Sequence, residues 1–506
     1  MHHLSRRRFL TGLTAVPIVV FAGCSSATGG SETTSPSAPG SLRPLPIPPL
    51  ETGTVDADGT RHFELVAAAG SSEMLSGRHT PTWGYNGSIL GPTLRARRGE
   101  SVSFAIANAL TESTSVHWHG MHVPARFDGG PHQTITVGAQ WNPTWVVDQP
   151  AATLWYHPHP HGSTEKHVYR GLAGLFLVDD DDSDALGLPS DYGVDDIPLI
   201  IQDRRFDADG TLDESNSTDI GLLGDTIVTN GAVGAFVSAS TDKIRLRILN
   251  GSSGRLYNLG FDDSRRFQLV ATDGGLLPNP VWSSRIALSP GERIEVVLQV
   301  TPGSVSTLRS FPIEGNGGVE SDKAASYGMT DTFDILEIRA GDSVTATPSV
   351  PPELATLPAL DVSNPAAERD FELRWFMIND KQMDMTRIDH TSVVDTLEIW
   401  TVTNADNWPH NFHVHDTQFR IIDIDGSPPP AELAGWKDTV YTAPGQRIRL
   451  ALQFSEYTDP SMPYMYHCHL LMHEDRGMMG QFVVVGPGES AEALPMSPSH
   501  SGMQHN

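Results

Sequence analysis

Apolar and polar residues alternate one for one along much of this chain, the period of a strand with one face buried. Three such stretches end alike: ESVSFAIAN at Asn108, DKIRLRILN at Asn250 and DTLEIWTVTN at Asn404. They are spaced roughly 150 residues apart, about one domain each. A second echo pairs SPGERIEVVLQV (Ser289 to Val300) with APGQRIRLALQF (Ala443 to Phe454). Helical periodicity is hard to find, while Gly and Pro are plentiful and punctuate the strands. The pattern predicts an all-β chain of three related β-sandwich domains, roughly residues 45–180, 190–345 and 360–487. The acidic run DDDDSDALGLPSDYGVDD (Asp179 to Asp196) marks the first junction and reads as a solvated linker. TPSVPPELATLP (Thr347 to Pro358) marks the second.

Composition adds little to the fold and more to the setting. The 506 residues carry a formal net charge of −27, which argues against a nucleic-acid partner, since phosphate binding needs clustered Lys and Arg. The same charge draws cations in. The first 24 residues stand apart from the fold. SRRRFL (Ser5 to Leu10) resembles a twin-arginine export signal, and FAGC (Phe21 to Cys24) resembles a lipobox. The apolar stretch between them is shorter than the ~20 residues that span a bilayer. The expectation is a chain exported folded, lipid-anchored through Cys24 on the outer side of the cytoplasmic membrane. A flexible Ser/Thr/Gly/Pro tether follows over residues 25–44, and a disordered tail closes the chain over 488–506. A lipidated Cys24 leaves Cys468 as the one free thiol of the two cysteines, with no partner for a disulfide. A thiol flanked by histidines is then best explained as a metal ligand.

Four histidine clusters carry the chemistry: HWHG (His117 to Gly120), WYHPHPHG (Trp155 to Gly162), PHNFHVH (Pro409 to His415) and YHCHLLMHEDRGM (Tyr466 to Met478). Each holds a His-x-His, and residues i and i+2 of a strand share a face about 7 Å apart. That spacing serves two neighbouring ions better than it chelates one. The first and third domains carry such pairs nine residues after their terminal Asn. The second has LGF (Leu259 to Phe261) there, so the middle domain reads as a spacer. In HCH, Cys468 points to one face and His467 and His469 to the other. The thiolate therefore binds one ion and the imidazoles a different cluster, with a short covalent path between them. His473 and Met478 fold back onto the thiolate's ion, and His410 completes its site. Two His, one Cys and a weak Met are the ligands of blue copper, whereas structural zinc prefers closed sites often rich in Cys.

These four motifs resemble the copper motifs of the multicopper oxidases, over nearly the whole mature chain. The resemblance implies three consecutive cupredoxin-like Greek-key β-sandwich domains and four copper ions, with dioxygen as co-substrate and a cluster between the first and third domains. It implies His410, Cys468, His473 and Met478 as type 1 ligands, and His117 with His413 as the type 2 pair. His119, His157, His159, His415, His467 and His469 follow as the ligands of the binuclear type 3 coppers. His161 is implied to be a non-ligand. Asp128, in RFDGGP, and Glu474, directly after His473, stand where bacterial members carry acids that relay protons.

The reductant is less legible. Copper-efflux oxidases resemble this chain in HNFHVHDTQFRI and HCHLLMHEDRGMM, and in them acids and thioethers receive Cu(I) near the type 1 site. Asp406, four residues before His410, and Asp384, between Met383 and Met385, fit that role. Trp408 and the lack of a Met-rich insert keep laccase-like oxidation of phenols and aromatic amines as the alternative, with Fe(II) as another metal reductant. A non-catalytic structural protein of the cell envelope and a copper store are the remaining readings. A monomer is expected.

Overall fold

Each third of the chain folds into two sheets laid face to face. The computed structural model describes residues 42–215 and 217–492. The expected signal, Cys24, most of the tether and residues 493–506 of the tail lie outside them. In the first third, a six-stranded sheet built on Arg61–Ser72 and Ser101–Asn108 packs against a five-stranded sheet containing His117–His119 and Ala152–His157. Phe63, Leu65, Phe104, Ile106, Trp118 and Phe176 fill the space between. The second third pairs two six-stranded sheets around Leu246, Ile248, Leu259, Phe261 and Leu269. The last pairs two five-stranded sheets around Phe371, Trp400, Phe412, Leu450 and Phe482. The expected three β-sandwiches are present.

The recurrent terminal Asn is a turn staple. Asn108 Nδ2 donates to the carbonyls of Glu112 and Ile135 at 2.9 and 2.8 Å, and its Oδ1 accepts from Leu110 N–H. Asn250 binds Arg255 O, Leu288 O and Ser252 N–H in the same way. Asn404 does so with Trp408 O, Thr442 O and Asp406 N–H. All three side chains are buried. A carboxamide supplies two donors and an acceptor in one plane, so each buried Asn satisfies three main-chain groups of the turn that follows its strand. In the first and third sandwiches that turn delivers the chain into a histidine-bearing strand.

Two expectations need correction. The acidic junction is not solvated throughout. Asp179 is held bidentately by Arg95 at 2.6 and 3.0 Å, and Asp196 is buried on Arg247 Nε at 2.7 Å. Arg97 takes Asp181 and Asp184 at the surface. Long-range pairing anchors both ends, which local charge counting misses. The end of the expected tether is also ordered. Arg43–Pro44 forms a strand parallel to the second sandwich, in register with Ala235 and Phe236, and Leu45 enters that core.

Candidate metal centre

Strand register brings the histidines together in pairs. His117 lies opposite His157 on neighbouring antiparallel strands of the first sandwich. His413 lies opposite His467 in the third. Within each His-x-His the two rings share a face, with centroids 5.8 Å apart for His117 and His119, 5.1 Å for His413 and His415, and 5.5 Å for His467 and His469. The two sandwiches then meet histidine to histidine: His119 stacks on His413 at 3.8 Å, and His117 on His415 at 3.8 Å.

Eight imidazoles converge, and their main-chain partners show which nitrogen faces inward. His117 and His413 donate Nδ1–H to the carbonyls of Asp128 and Asp438 at 2.9 and 2.8 Å. Their buried Nε2 atoms have no hydrogen-bond partner. His157 and His467 donate Nδ1–H to Pro158 O and Cys468 O. His467 Nε2 lies 3.1 Å from His159 Nε2 and 3.2 Å from His415 Nε2, so three lone pairs meet at one point. His119 is turned the other way: its Nδ1 faces His157 Nε2 at 3.4 Å and its Nε2 meets Asp438 Oδ1 at 3.0 Å. His469 stands 4.9 and 5.2 Å from the rings of His119 and His157. Burial first, and the neighbouring imidazoles second, hold His119, His413 and His415 well below the usual histidine range. Neutral rings with inward lone pairs are what a metal cluster requires.

The second group is a triangle. His410 Nδ1 and His473 Nδ1 lie 3.1 Å apart, with Cys468 Sγ 3.6 Å from the first and 3.5 Å from the second. All three are buried. Met478 is buried beside them, its N–H bonded to His473 O and its carbonyl to Cys468 N–H. Asn411 Oδ1 accepts from Cys468 Sγ and from His469 N–H, and so holds the turn that sends the thiol one way and the imidazoles the other. Burial pushes the Cys468 thiol up to about 12, and a bound cation reverses that. His161 is exposed and joins neither group.

Acids flank the eight histidines. Asp128 is buried, with Oδ2 2.7 Å from His415 Nδ1. Glu474 is buried between two rings, Oε1 3.3 Å from His159 Nδ1 and Oε2 3.3 Å from His467 Nδ1. It also accepts from Thr164 Oγ1 at 2.7 Å. Burial raises its carboxyl well above the ordinary range. Asp475, raised by burial to about 7, accepts the N–H groups of Thr164 and Glu165.

The rim of the triangle is mixed. Asp406 Oδ2 lies 3.6 Å from His410 Nε2, and its carboxylate also takes the N–H groups of Trp375 and Asn407. Asp384 is exposed, with its carboxylate turned onto Thr386. Phe376 and Trp408 flank His473 with centroids at 5.3 and 6.0 Å. His473 Nε2 donates to Asp219 O at 2.7 Å, so the middle sandwich covers this imidazole. Two supports escaped sequence reasoning. Asp438 touches both His119 and His413, and Arg293 holds Asp438. The middle sandwich contributes no member of the ligand groups among the described residues, yet it is more than a spacer.

The donor set fits copper: a buried His–Cys–His triangle one residue away from a nest of imidazoles whose inward nitrogens meet only one another or, in His117, His413 and His469, no partner at all. Multicopper oxidase family models match residues 67–183 and 349–487. The chain is 35% identical over 442 residues to the multicopper oxidase mco of Staphylococcus haemolyticus, covering 87% of this chain and 92% of that one. It is 34% identical over 488 residues to the cell division protein FtsP of Dickeya dadantii, covering 95% and 98%. The crystal structure of a multi-copper oxidase from Pediococcus acidilactici superposes with a TM-score of 0.82 at 35% identity, over 91% of this chain and 95% of that one.

Proposed function

This chain belongs to the multicopper oxidase family, and from that premise we propose that it takes single electrons from a reductant beside His473 and His410 and reduces dioxygen to water among the eight histidines. His410, Cys468, His473 and Met478 would hold the type 1 copper. His117 and His413 would hold the type 2 ion, with His119, His157 and His469 on one type 3 ion and His159, His415 and His467 on the other. When bound, the four coppers supply the one-electron steps and the four-electron reduction of dioxygen. The observation that carries this reading is the Cys468 triangle joined to the cluster by single peptide bonds on both sides, to His467 and His469.

The chain's own groups do the rest. Asp128 and the carbonyls of Asp438 and Pro158 fix ring tautomers, so each imidazole keeps a lone pair inward. Glu474, whose carboxyl burial raises well above the ordinary range, sits 3.3 Å from two ligand rings as a proton-holding group, and Thr164 and Asp475 connect it toward the surface. Trp155, itself buried, stacks on the buried ring of His157 at 4.1 Å and shields it from bulk solvent.

For the reductant we propose Cu(I) ahead of phenols, with Asp406 and Asp384 on the substrate side. Asp406, 3.6 Å from His410, and the net charge of −27 support a cation. Phe376 and Trp408 against His473, with Trp375 exposed nearby, support the laccase-like reading. A purely structural role in the cell envelope, or a part in cell division as the name of FtsP gives, leaves the filled ligand sets without a purpose.

Purification with copper, metal counting and oxygen uptake on Cu(I), Fe(II) and a phenol test these readings together. A colourless protein without copper refutes the oxidase reading. Asp384→Ala/Asp406→Ala should raise KM for Cu(I) and spare a bulky organic reductant; equal losses on both favour the laccase-like reading. Export as a lipoprotein predicts that Arg6→Lys/Arg7→Lys traps the chain inside and that Cys24→Ala releases it from membranes.

A further inference from the structure

His119 is the one cluster histidine whose outward nitrogen rests on a side-chain carboxylate held by the middle sandwich. Asp438 Oδ1 accepts from His119 Nε2, and the Asp438 carbonyl accepts from His413 Nδ1. Asp438 is fully buried. An unpaired carboxylate there would be strongly disfavoured, so something must neutralise and aim it. Arg293 does both, its Nη1 and Nη2 donating to the two oxygens at 2.7 and 2.6 Å. Its other three N–H groups donate to Thr153 O, Gly291 O and Asp273 O. All five guanidinium donors are therefore used, across all three sandwiches. Thr153 lies on the strand that ends in His157. A Cβ on Gly120, beside His119, would collide with both Asp438 and Arg293, so the glycine of HWHG leaves room for the pair. The echo between SPGER and APGQR puts Arg447 at the equivalent place in the third sandwich, where it is exposed.

We infer that Arg293, contributed by the middle sandwich, is a positioning residue of the cluster: it aims the Asp438 carboxylate so that His119 keeps its proton on Nε2 and presents Nδ1 inward. This rests on the copper reading of the cluster given above. Lysine cannot replace the fork, since one ammonium does not span two carboxylate oxygens and three carbonyls. Arg245 supplies the control: it is a buried arginine of the same sandwich, bonded to Glu295, with no contact to a ligand.

The test loads metal-free full-length protein with copper against a graded chelator and follows copper per chain, the blue band and the type 2 resonance. Arg293→Lys should keep the blue band, bind cluster copper about 10–100-fold more weakly and shift the type 2 resonance, the size expected for a group behind a metal ligand. Arg245→Lys should do none of these. Cluster affinity within twofold of the parent, or equal losses in both variants, overturns the inference. Should Arg293→Lys fail to fold, Asp438→Asn keeps the shape and removes the charge, and parent-like cluster loading in it also overturns the inference. A parent that takes up no cluster copper instead refutes the copper reading itself.

Discussion

The buried thiol of Cys468 makes a quantitative prediction about the metal-free protein. Burial holds the thiol near 12 against an ordinary value of 9.0. At pH 7 the thiolate then costs about 7 kcal/mol to form, and its population is about a thousandfold below that of an exposed cysteine. The perturbation is removal of copper, in a Cys24→Ala background so that Cys468 is the only thiol. Folded metal-free protein should react with a thiol-specific reagent at least ~1000-fold more slowly than free cysteine, and about tenfold faster per pH unit between 7 and 9. Denaturant should expose one full equivalent of thiol. Copper added at pH 7 should bring up the blue band with release of one proton per type 1 site. Brisk labelling of the folded, metal-free protein would refute the reasoning, because it would put Cys468 outside the closed triangle.

Three further outcomes are expected. Asn404→Ala strips partners from one buried and one part-buried carbonyl and an N–H and should cost about 2 kcal/mol in chemical denaturation; Asn250→Ala, whose three bonds are all buried, should cost about 3 kcal/mol, but only Asn404→Ala should shift the blue band. Glu165, raised by burial to about 7, keeps its proton in the fold while the unfolded chain loses it, so stability falls as pH rises from about 4.5 to 7. Glu165→Gln should therefore gain up to about 3 kcal/mol at pH 8 and nothing at pH 4, read from melting curves at both pH values. Glu474→Gln should leave copper content and colour unchanged and slow reoxidation by dioxygen about 100-fold in stopped flow, with the reductive step untouched.

What could be read from the sequence followed strand periodicity. A two-residue period puts His117 and His119 on one face, and likewise His413 and His415, so the pairs announce themselves. Cys468 between two histidines splits its neighbours by the same rule. Repeat spacing placed the three sandwiches because the stapling Asn recurs at the same point of each. Groups acting across sandwiches were not legible. Arg293 and Asp438 are 145 residues apart and ordinary in their local context. The inverted ring of His119 has no sequence signature, because its cause is a carboxylate from another domain. The pairing of Asp196 with Arg247 and of Arg43–Pro44 with Ala235–Phe236 is hidden for the same reason.

That last pairing sets an order on biosynthesis. Arg43 and Pro44 leave the ribosome first among the described strands, but Ala235 and Phe236 follow only after roughly 190 further residues, some ten to forty seconds at ordinary rates of translation. Until then the Arg43–Pro44 strand has no sheet edge to close, and Leu45 has no core to enter. The Arg43–Pro44 strand is thus captured late, by the second sandwich rather than by the sandwich that directly follows it. A nascent chain truncated before residue 235 leaves Arg43–Pro44 without its partner, so capture of that strand reports that synthesis has reached the second sandwich.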